Sequence, residues 1–321
     1  MTRHLVVVMD PVDHIKAYKD TTVGLLREAG RRGYSIDFLE ARDLALEAGR
    51  PMARVRSMGV RDSDKDWCEL GEIRRLALAD ADIILMRKDP PFNMDYIYAT
   101  YLLEHAQAAG ALVVNDPTSL RNANEKLFAT WFPDCMPPTL VTCRKDALHT
   151  FLREQQDIIV KPLDGMGGSS VFRVAMGDPN INVIFETMTG NEQRLTMAQR
   201  YLPAIAEGDK RILMIDGEPV PFALARVPAP GETRGNLAAG GTGVGQPLSA
   251  SDRRICERVG PALAARGLIF VGLDVIGESL TEINVTSPTG LRELDRLFDL
   301  NIAGDLFDVL ERKIAKDRKT P

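Results

Sequence analysis

Residues 267–290, GLIFVGLDVIGESLTEINVTSPTG, restrict what this chain can fold into more than any other stretch. Residues 268–275 are an apolar run rich in β-branched and aromatic side chains, 277–279 supply a turn, and 280–285 return; the pattern predicts a β-hairpin. Side chains alternate along a strand, so Glu282 and Asn284 share one face while Ile283 and Val285 share the other. Asp274 lies on the partner strand just before the turn, within reach of the polar face. Asp, Glu and Asn together offer hard oxygen donors, a set that suits Mg²⁺, an ion that usually bridges to substrate phosphates. A polar face on a surface hairpin accounts for the same residues equally well, so the rest of the chain has to decide.

Hydrophobic residues make up 45% of the 321 positions and charged residues 26%, the balance of an ordinary globular protein with about two domains or lobes. A net charge of −5 lacks the basic footprint of a general nucleic-acid binder. The apolar run 5–9 stops at Asp10-Pro11, too short for a signal-peptide core, and no run approaches a membrane span, so the cytoplasm is the expected compartment. Cys68, Cys135, Cys143 and Cys256 form no CxxC pair, which points to reduced thiols. His4, His14, His105 and His149 lack zinc-site spacing.

In chain order, a buried strand at 5–9, a helix at 20–32 capped by Asp20 or Thr21 and stopped by Gly33, and a strand at 35–41 predict a parallel α/β sheet. Residues 50–67 are polar and irregular, a hairpin or a long loop, and Asp62, Asp64 and Asp66 read as a solvated acidic turn rather than a metal site. The buried strand 81–86 runs into Arg87-Lys88-Asp89-Pro90-Pro91-Phe92, at the carboxyl edge of the sheet where α/β folds bind ligands. That segment is either an ordinary charged loop or a carboxylate site using Arg87 or Lys88. A helix at 95–109, a strand at 112–115 and a helix at 119–131 carrying Lys126 follow.

A second unit begins with a strand at 139–142, a helix at 145–155 and a strand at 158–162 that carries Lys161. The next segment, DGMGGSS at 164–170, lets backbone amides approach an anion at Gly165, Gly167 and Gly168. It is not a Walker loop, because the lysine precedes the glycines, and a plain glycine-rich turn explains it as well. Strand 197–202 could join two lobes and present backbone groups to a base. Residues 228–245 combine many glycines with Arg234 and Asn236, which predicts a mobile lid. Helices at 251–266 and 302–316 complete the chain.

Taken together, Lys126, KPLDGMGGSS at 161–170, MAQRYLPAIAEGDKRIL at 197–213, GETRGNLAAGG at 231–241 and VGLDVIGESLTEINVTSPTG at 271–290 resemble the ATP-grasp ligases, and within them the bacterial glutathione synthetases. MRKDPPF at 86–92 and NEKLFATWF at 124–132 match the same family, so the resemblance covers nearly the full chain. It implies an α/β fold, α+β in part: an N-terminal parallel α/β domain at 1–122, a small lid domain at 123–200, and a mixed-sheet catalytic domain at 201–321 with a mobile loop at 228–245. It implies ATP as co-substrate and two Mg²⁺ ions, replaceable by Mn²⁺, on Asp274, Glu282 and Asn284. Lys126, Lys161, Gly165, Gly167 and Gly168 would hold the phosphates, Gln199, Arg200, Tyr201 and Leu202 would edge the adenine, and Asp209 would take the ribose. Arg211, Arg234 and Asn236 would be catalytic, while Arg87, Lys88, Arg226, Ser287, Pro288 and Thr289 would bind substrate.

The implied reaction joins γ-glutamylcysteine to glycine through an acyl phosphate, giving glutathione, ADP and phosphate. Its partners would be these small molecules, with neither nucleic acid nor membrane, in a homo-oligomer that the resemblance makes a tetramer. The alternatives are an ATP-grasp ligase that forms a different peptide and a non-catalytic nucleotide-binding module. Two departures concern lid contacts and substrate packing: residues 242–246 lack basic side chains, and Gly290 stands where some members carry cysteine.

Overall fold

The computed structural model describes residues 2–165, 168–229 and 242–317. Its first unit runs β1 (His4–Val8), α1 (Thr21–Arg31), β2 (Ser35–Leu39), β3 (Leu44–Glu47), β4 (Arg50–Val60), β5 (Cys68–Ala77), β6 (Ile83–Met86), α2 (Met94–Ala108), β7 (Leu112–Val114) and α3 (Pro117–Asn122). The expected parallel sheet is present: β1 pairs in parallel with β2 and β6, and β6 with β7. Leu5 to Val8 and Ile83 to Met86 are buried, as near-continuous apolar strands between two covered faces should be. Asp20 is the N-cap of α1, its side chain accepting from the Val23 amide at 2.9 Å.

Two expectations are refined here. Residues 50–67 are the first arm and turn of a long hairpin, β4 with β5, laid antiparallel on the sheet edge. Asp62 and Asp64 in its turn pair with Arg27, and Asp62 is 97% exposed, so this acidic stretch is solvated. The helix expected over 119–131 is broken instead. Helix α3 ends at Asn122, and only a 3-10 turn covers Phe128–Trp131. Asn124 explains the break: its side chain accepts from the backbone amides of Lys126 and Leu127 at 3.2 and 3.0 Å, replacing helical bonds with a local turn.

The second unit runs β8 (Thr139–Thr142), α4 (Lys145–Gln155), β9 (Asp157–Pro162), β10 (Phe172–Ala175), α5 (Ile181–Thr189) and β11 (Thr196–Arg200). Its four strands form an antiparallel sheet in the order β10-β9-β11-β8. One face packs on α4 and α5 around Phe151, Leu152, Val160 and Phe185, a core separate from the other two.

The third unit runs β12 (Asp209–Ile215), β13 (Glu218–Val227), β14 (Thr242–Pro247), α6 (Ala250–Ala265), β15 (Phe270–Ile276), β16 (Ser279–Asn284), α7 (Leu291–Phe298) and α8 (Ile302–Asp317). Its antiparallel order is β14-β13-β12-β15-β16. Strand β14 corrects the lid expectation at one end. Residues 242–247 pair with β13, from Val227 opposite Thr242 to Phe222 opposite Pro247, so 242–245 belong to the sheet. The first and third units share apolar cores. Asn115 ties them further: its buried side chain accepts from the Phe270 amide at 2.8 Å and donates to the carbonyls of Phe270 and Val285 at 2.8 and 2.7 Å. That link fixes the β15–β16 hairpin against the end of the first sheet.

Candidate active site

Register on the third sheet places the charged residues. Asp209 is opposite Arg226, Arg211 is opposite Asp274, and Asp274 is opposite Glu282. Directly opposed residues share a face, so acids and bases alternate across one side of four strands. Asn284, two residues beyond Glu282, joins the same side, while Leu273 and Ile283 are fully buried on the other. The hairpin expectation is therefore met: Asp274, Glu282 and Asn284 all line one cleft of about 560 Å³, a size typical of small-molecule sites.

The cleft carries a dense ion network. Arg211 donates from Nε and Nη2 to the two Asp274 oxygens at 2.6 and 3.2 Å. Arg226 lies 2.9 Å from Asp274 and 2.5 Å from Asp209. Burial alone would raise the Asp274 carboxyl, but Arg211 and Arg226 outweigh it and hold it below the usual carboxylate range. Burial pushes Asp209 up to about 7 against the pull of Arg226, and its buried Oδ1 has no hydrogen-bond partner among the described residues. That oxygen is placed to accept from a ligand hydroxyl.

Lys126 and Lys161 enter from the other side. Lys126 Nζ bridges the Gly165 carbonyl at 2.5 Å and Glu282 at 2.8 Å. Lys161 is 8% exposed, and among the described residues its ammonium donates one hydrogen bond, to the Thr281 carbonyl at 3.3 Å. Burial lowers its pKa, with Glu282 pulling the other way. A buried ammonium with so little compensation is costly unless an anion completes its shell.

The remaining expected residues divide by position. Gly165 and Gly168 line the cleft, and a Cβ at Gly165 would meet Pro162 Cγ at 2.7 Å. Gln199, Arg200, Tyr201 and Leu202 line its other end, Gln199 buried and Arg200 exposed. Ser287 and Thr289 line it too, and the Thr289 carbonyl accepts from Arg211 at 3.1 Å. Gly290, with φ of 108°, adopts a conformation that disfavours any side chain. Gly167, Arg234 and Asn236 lie outside the described residues, as does most of 228–245.

Arg87, Lys88 and Pro288 are not brought into the cleft wall. Arg87 is buried and donates to Thr22 Oγ1 at 3.1 Å and to the Pro288 carbonyl at 3.0 Å. It thereby fixes the segment that carries Ser287 and Thr289. Lys88 pairs with Asp10 at 2.7 Å.

Sequence reasoning missed Glu125. Its Oε1 accepts from the Val285 and Thr286 amides and the Thr286 hydroxyl at 3.0, 3.1 and 2.8 Å. Burial raises its pKa, with Glu282 adding repulsion. It also lines the cleft, beside Lys126. Lys16, Lys19 and Asp20 from the first unit line the cleft as well. Their charges, just ahead of a helix, were the available signal.

A densely charged cleft thus lies between the antiparallel sheet of the second unit and that of the third, which bears the Asp-Glu-Asn face, and the fold around it is that of the ATP-grasp ligases. Solved structures agree on the fold. The ATP-grasp ligase PsnB, complexed with minimal precursor, Mg and ADP, superposes with a TM-score of 0.62 at 17% identity, covering 97% of this chain and 98% of that one. The D-cycloserine synthetase DcsG gives 0.66 at 14% identity, covering 96% and 99%. The family model for the N-terminal domain of prokaryotic glutathione synthetase matches residues 4–121, and that for its ATP-grasp domain matches 125–299. The glutathione synthetase of Pseudomonas syringae pv. tomato is 56% identical over 314 residues, 98% of each chain, and that of Salmonella typhimurium is 56% identical over 310 residues, 97% of this chain and 98% of its own. The chain belongs to the prokaryotic glutathione synthetase family.

Proposed function

We propose that this chain joins γ-L-glutamyl-L-cysteine to glycine at the expense of ATP, through an acyl phosphate, releasing glutathione, ADP and phosphate. The observation that carries the reading is the buried Lys161, whose ammonium donates, among the described residues, to the Thr281 carbonyl alone and stands on the cleft wall with Lys126, where a phosphate would complete its shell. Lys126 and Lys161, with the amides of Gly165, Gly167 and Gly168, bind the phosphates. Residues Gln199 to Leu202 edge the base, and Asp209 receives a ribose hydroxyl. Arg211 neutralises charge on the transferring phosphoryl group and then on the tetrahedral oxyanion formed as the glycine amine attacks. Arg226, Ser287 and Thr289 orient the donor peptide, and Arg87 fixes the segment behind them through the Pro288 carbonyl. The family resemblance gives Arg234 and Asn236, which lie outside the described residues, the task of excluding water.

The donor chemistry of Asp274, Glu282 and Asn284 fits a hard divalent cation, and two Mg²⁺, with Mn²⁺ as substitute, would be held there. When bound, such ions would supply charge neutralisation to the phosphates. Asp274 is shared with Arg211 and Arg226, and Glu282 with Lys126, so the same groups that offer oxygens to a cation also steer the arginines and lysines. On the family resemblance we also propose a cytoplasmic homotetramer, which sedimentation velocity would check. Among the described residues no helix is long and apolar enough to cross a membrane.

The test is phosphate release with ATP, γ-glutamylcysteine and glycine, each omitted in turn. Stoichiometric phosphate and glutathione only with all three supports the reading. A different amino-acid pair supporting faster turnover would replace the substrates, and AMP with pyrophosphate would replace the chemistry.

A further inference from the structure

We propose that Arg173 is a positioning residue for the nucleotide base, acting through the ring of Tyr201. The inference rests on the reading that residues 199–202 edge that base. Tyr201 directly follows β11, where the chain leaves the lid sheet for the third sheet, and it lines the cleft with Arg200 and Leu202. The Arg173 guanidinium carbon stands 3.7 Å from the centroid of the Tyr201 ring. That distance is a face-on stack, the cation–π arrangement.

The stack is held from behind by one residue. Arg173 Nε lies 3.1 Å from each Asp157 carboxylate oxygen, and Nη2 lies 2.7 Å from Oδ2. The backbone carbonyl of the same Asp157 accepts from the Tyr201 amide at 2.9 Å. Asp157 therefore grips the guanidinium with its side chain and the tyrosine backbone with its main chain, closing a three-residue ring of contacts. Register explains how they meet. Arg173 on β10 is opposite Ile159 on β9, and Ile159 is opposite Gln199 on β11. Opposed residues share a face, and Ile159 and Gln199 both line the cleft. Arg173 thus ends a row on the cleft side of the lid sheet, while Ile158, Val160 and Val174 turn to the lid core.

An exposed Arg–Asp pair contributes little to stability. Fixing the plane of one ring at a base-binding edge is a different task, because the ring can then meet the base in one orientation. Arg173 is among neither the phosphate-binding groups nor the Asp-Glu-Asn face. Its loss should weaken nucleotide binding and leave turnover at saturating ATP unchanged.

The experiment titrates the full-length protein with ADP and, separately, with inorganic tripolyphosphate, which has no base. Arg173→Gln and Tyr201→Leu should each raise the ADP Kd by about two- to fivefold, with tripolyphosphate affinity and thermal midpoint unchanged. The double variant should be no weaker than the worse single, because both remove one interaction. Arg173→Lys, which keeps the cation, should recover part of the loss. Independent, multiplicative effects, or equal losses for ADP and tripolyphosphate, would overturn the proposal. So would wild-type affinity in Arg173→Gln, whereas failure of the wild type to bind ADP would remove the nucleotide-site reading along with it.

Discussion

Replacing Lys161 by methionine separates binding from folding. Methionine keeps the length and apolar stem of the side chain and removes the charge. That charge is 8% exposed, lowered in pKa by burial and, among the described residues, bonded to one neutral carbonyl at 3.3 Å. Removing it relieves a desolvation penalty and the repulsion of Lys126, which together outweigh the attraction of Glu282, Asp209 and Asp274 and one long hydrogen bond, so thermal stability should hold or rise. With nucleotide present the sign reverses. A hydrogen bond to a charged group contributes about 1.5–3 kcal/mol, or about 10- to 150-fold in Kd. Calorimetric titration with ADP, paired with thermal melts of the free protein, measures both arms. Linkage gives a further check. Because the folded-state pKa lies below the unfolded one, the unfolded chain binds the extra proton between the two values, and wild-type stability gains on that of the variant as pH rises through that window. Unchanged ADP affinity would make the 164–170 segment a structural turn, and a marked fall in thermal midpoint would refute the account of an under-compensated charge.

Three other perturbations follow from the same geometry. Glu282→Gln removes one charge from the Asp-Glu-Asn face and the partner of Lys126; turnover should fall by about 10²–10³ with the fold intact, as read by steady-state rates beside circular dichroism. Arg87→Met leaves the Pro288 carbonyl without its donor, so stability should drop by about 1–3 kcal/mol in denaturant melts, and the Michaelis constant for γ-glutamylcysteine should rise as Ser287 and Thr289 lose their support. His4 hydrogen-bonds Asp37 at 2.6 Å, which raises its pKa against the effect of burial and of Arg74. Its stabilisation is complete below the unfolded value of about 6.5 and is lost as pH rises through the raised folded value, so His4→Gln should cost more stability at low than at high pH.

The sequence was most informative where function imposes a local pattern. The β15–β16 hairpin is legible because a period-two alternation and a turn sit within one short stretch, and the register then puts Asp274 beside Glu282 as the alternation requires. Lys161 and the glycines after it are legible for the same reason. What was missed depends on distant or side-chain contacts. Lys126 was placed on a helix because nothing in the local pattern reveals that Asn124 diverts the backbone into a turn. Glu125 finds its partners about 160 positions later, at Val285 and Thr286, beyond any periodicity argument. Residues 242–245 read as loop from their glycines, yet the free edge of β13 gives them a strand partner. Arg87 reads as part of a charged loop or as a substrate-carboxylate ligand at a sheet edge, and only the fold shows Thr22 and Pro288 closing over it.

Activation of the carboxylate by phosphoryl transfer can be followed with γ-glutamylcysteine labelled with ¹⁸O in its cysteinyl carboxylate. Attack of that carboxylate on the γ-phosphorus, followed by attack of the glycine amine on carbon, leaves one labelled oxygen on the departing phosphate. Inorganic phosphate from complete turnover should carry one ¹⁸O atom per glutathione formed. Unlabelled phosphate, or label recovered in AMP, would contradict it.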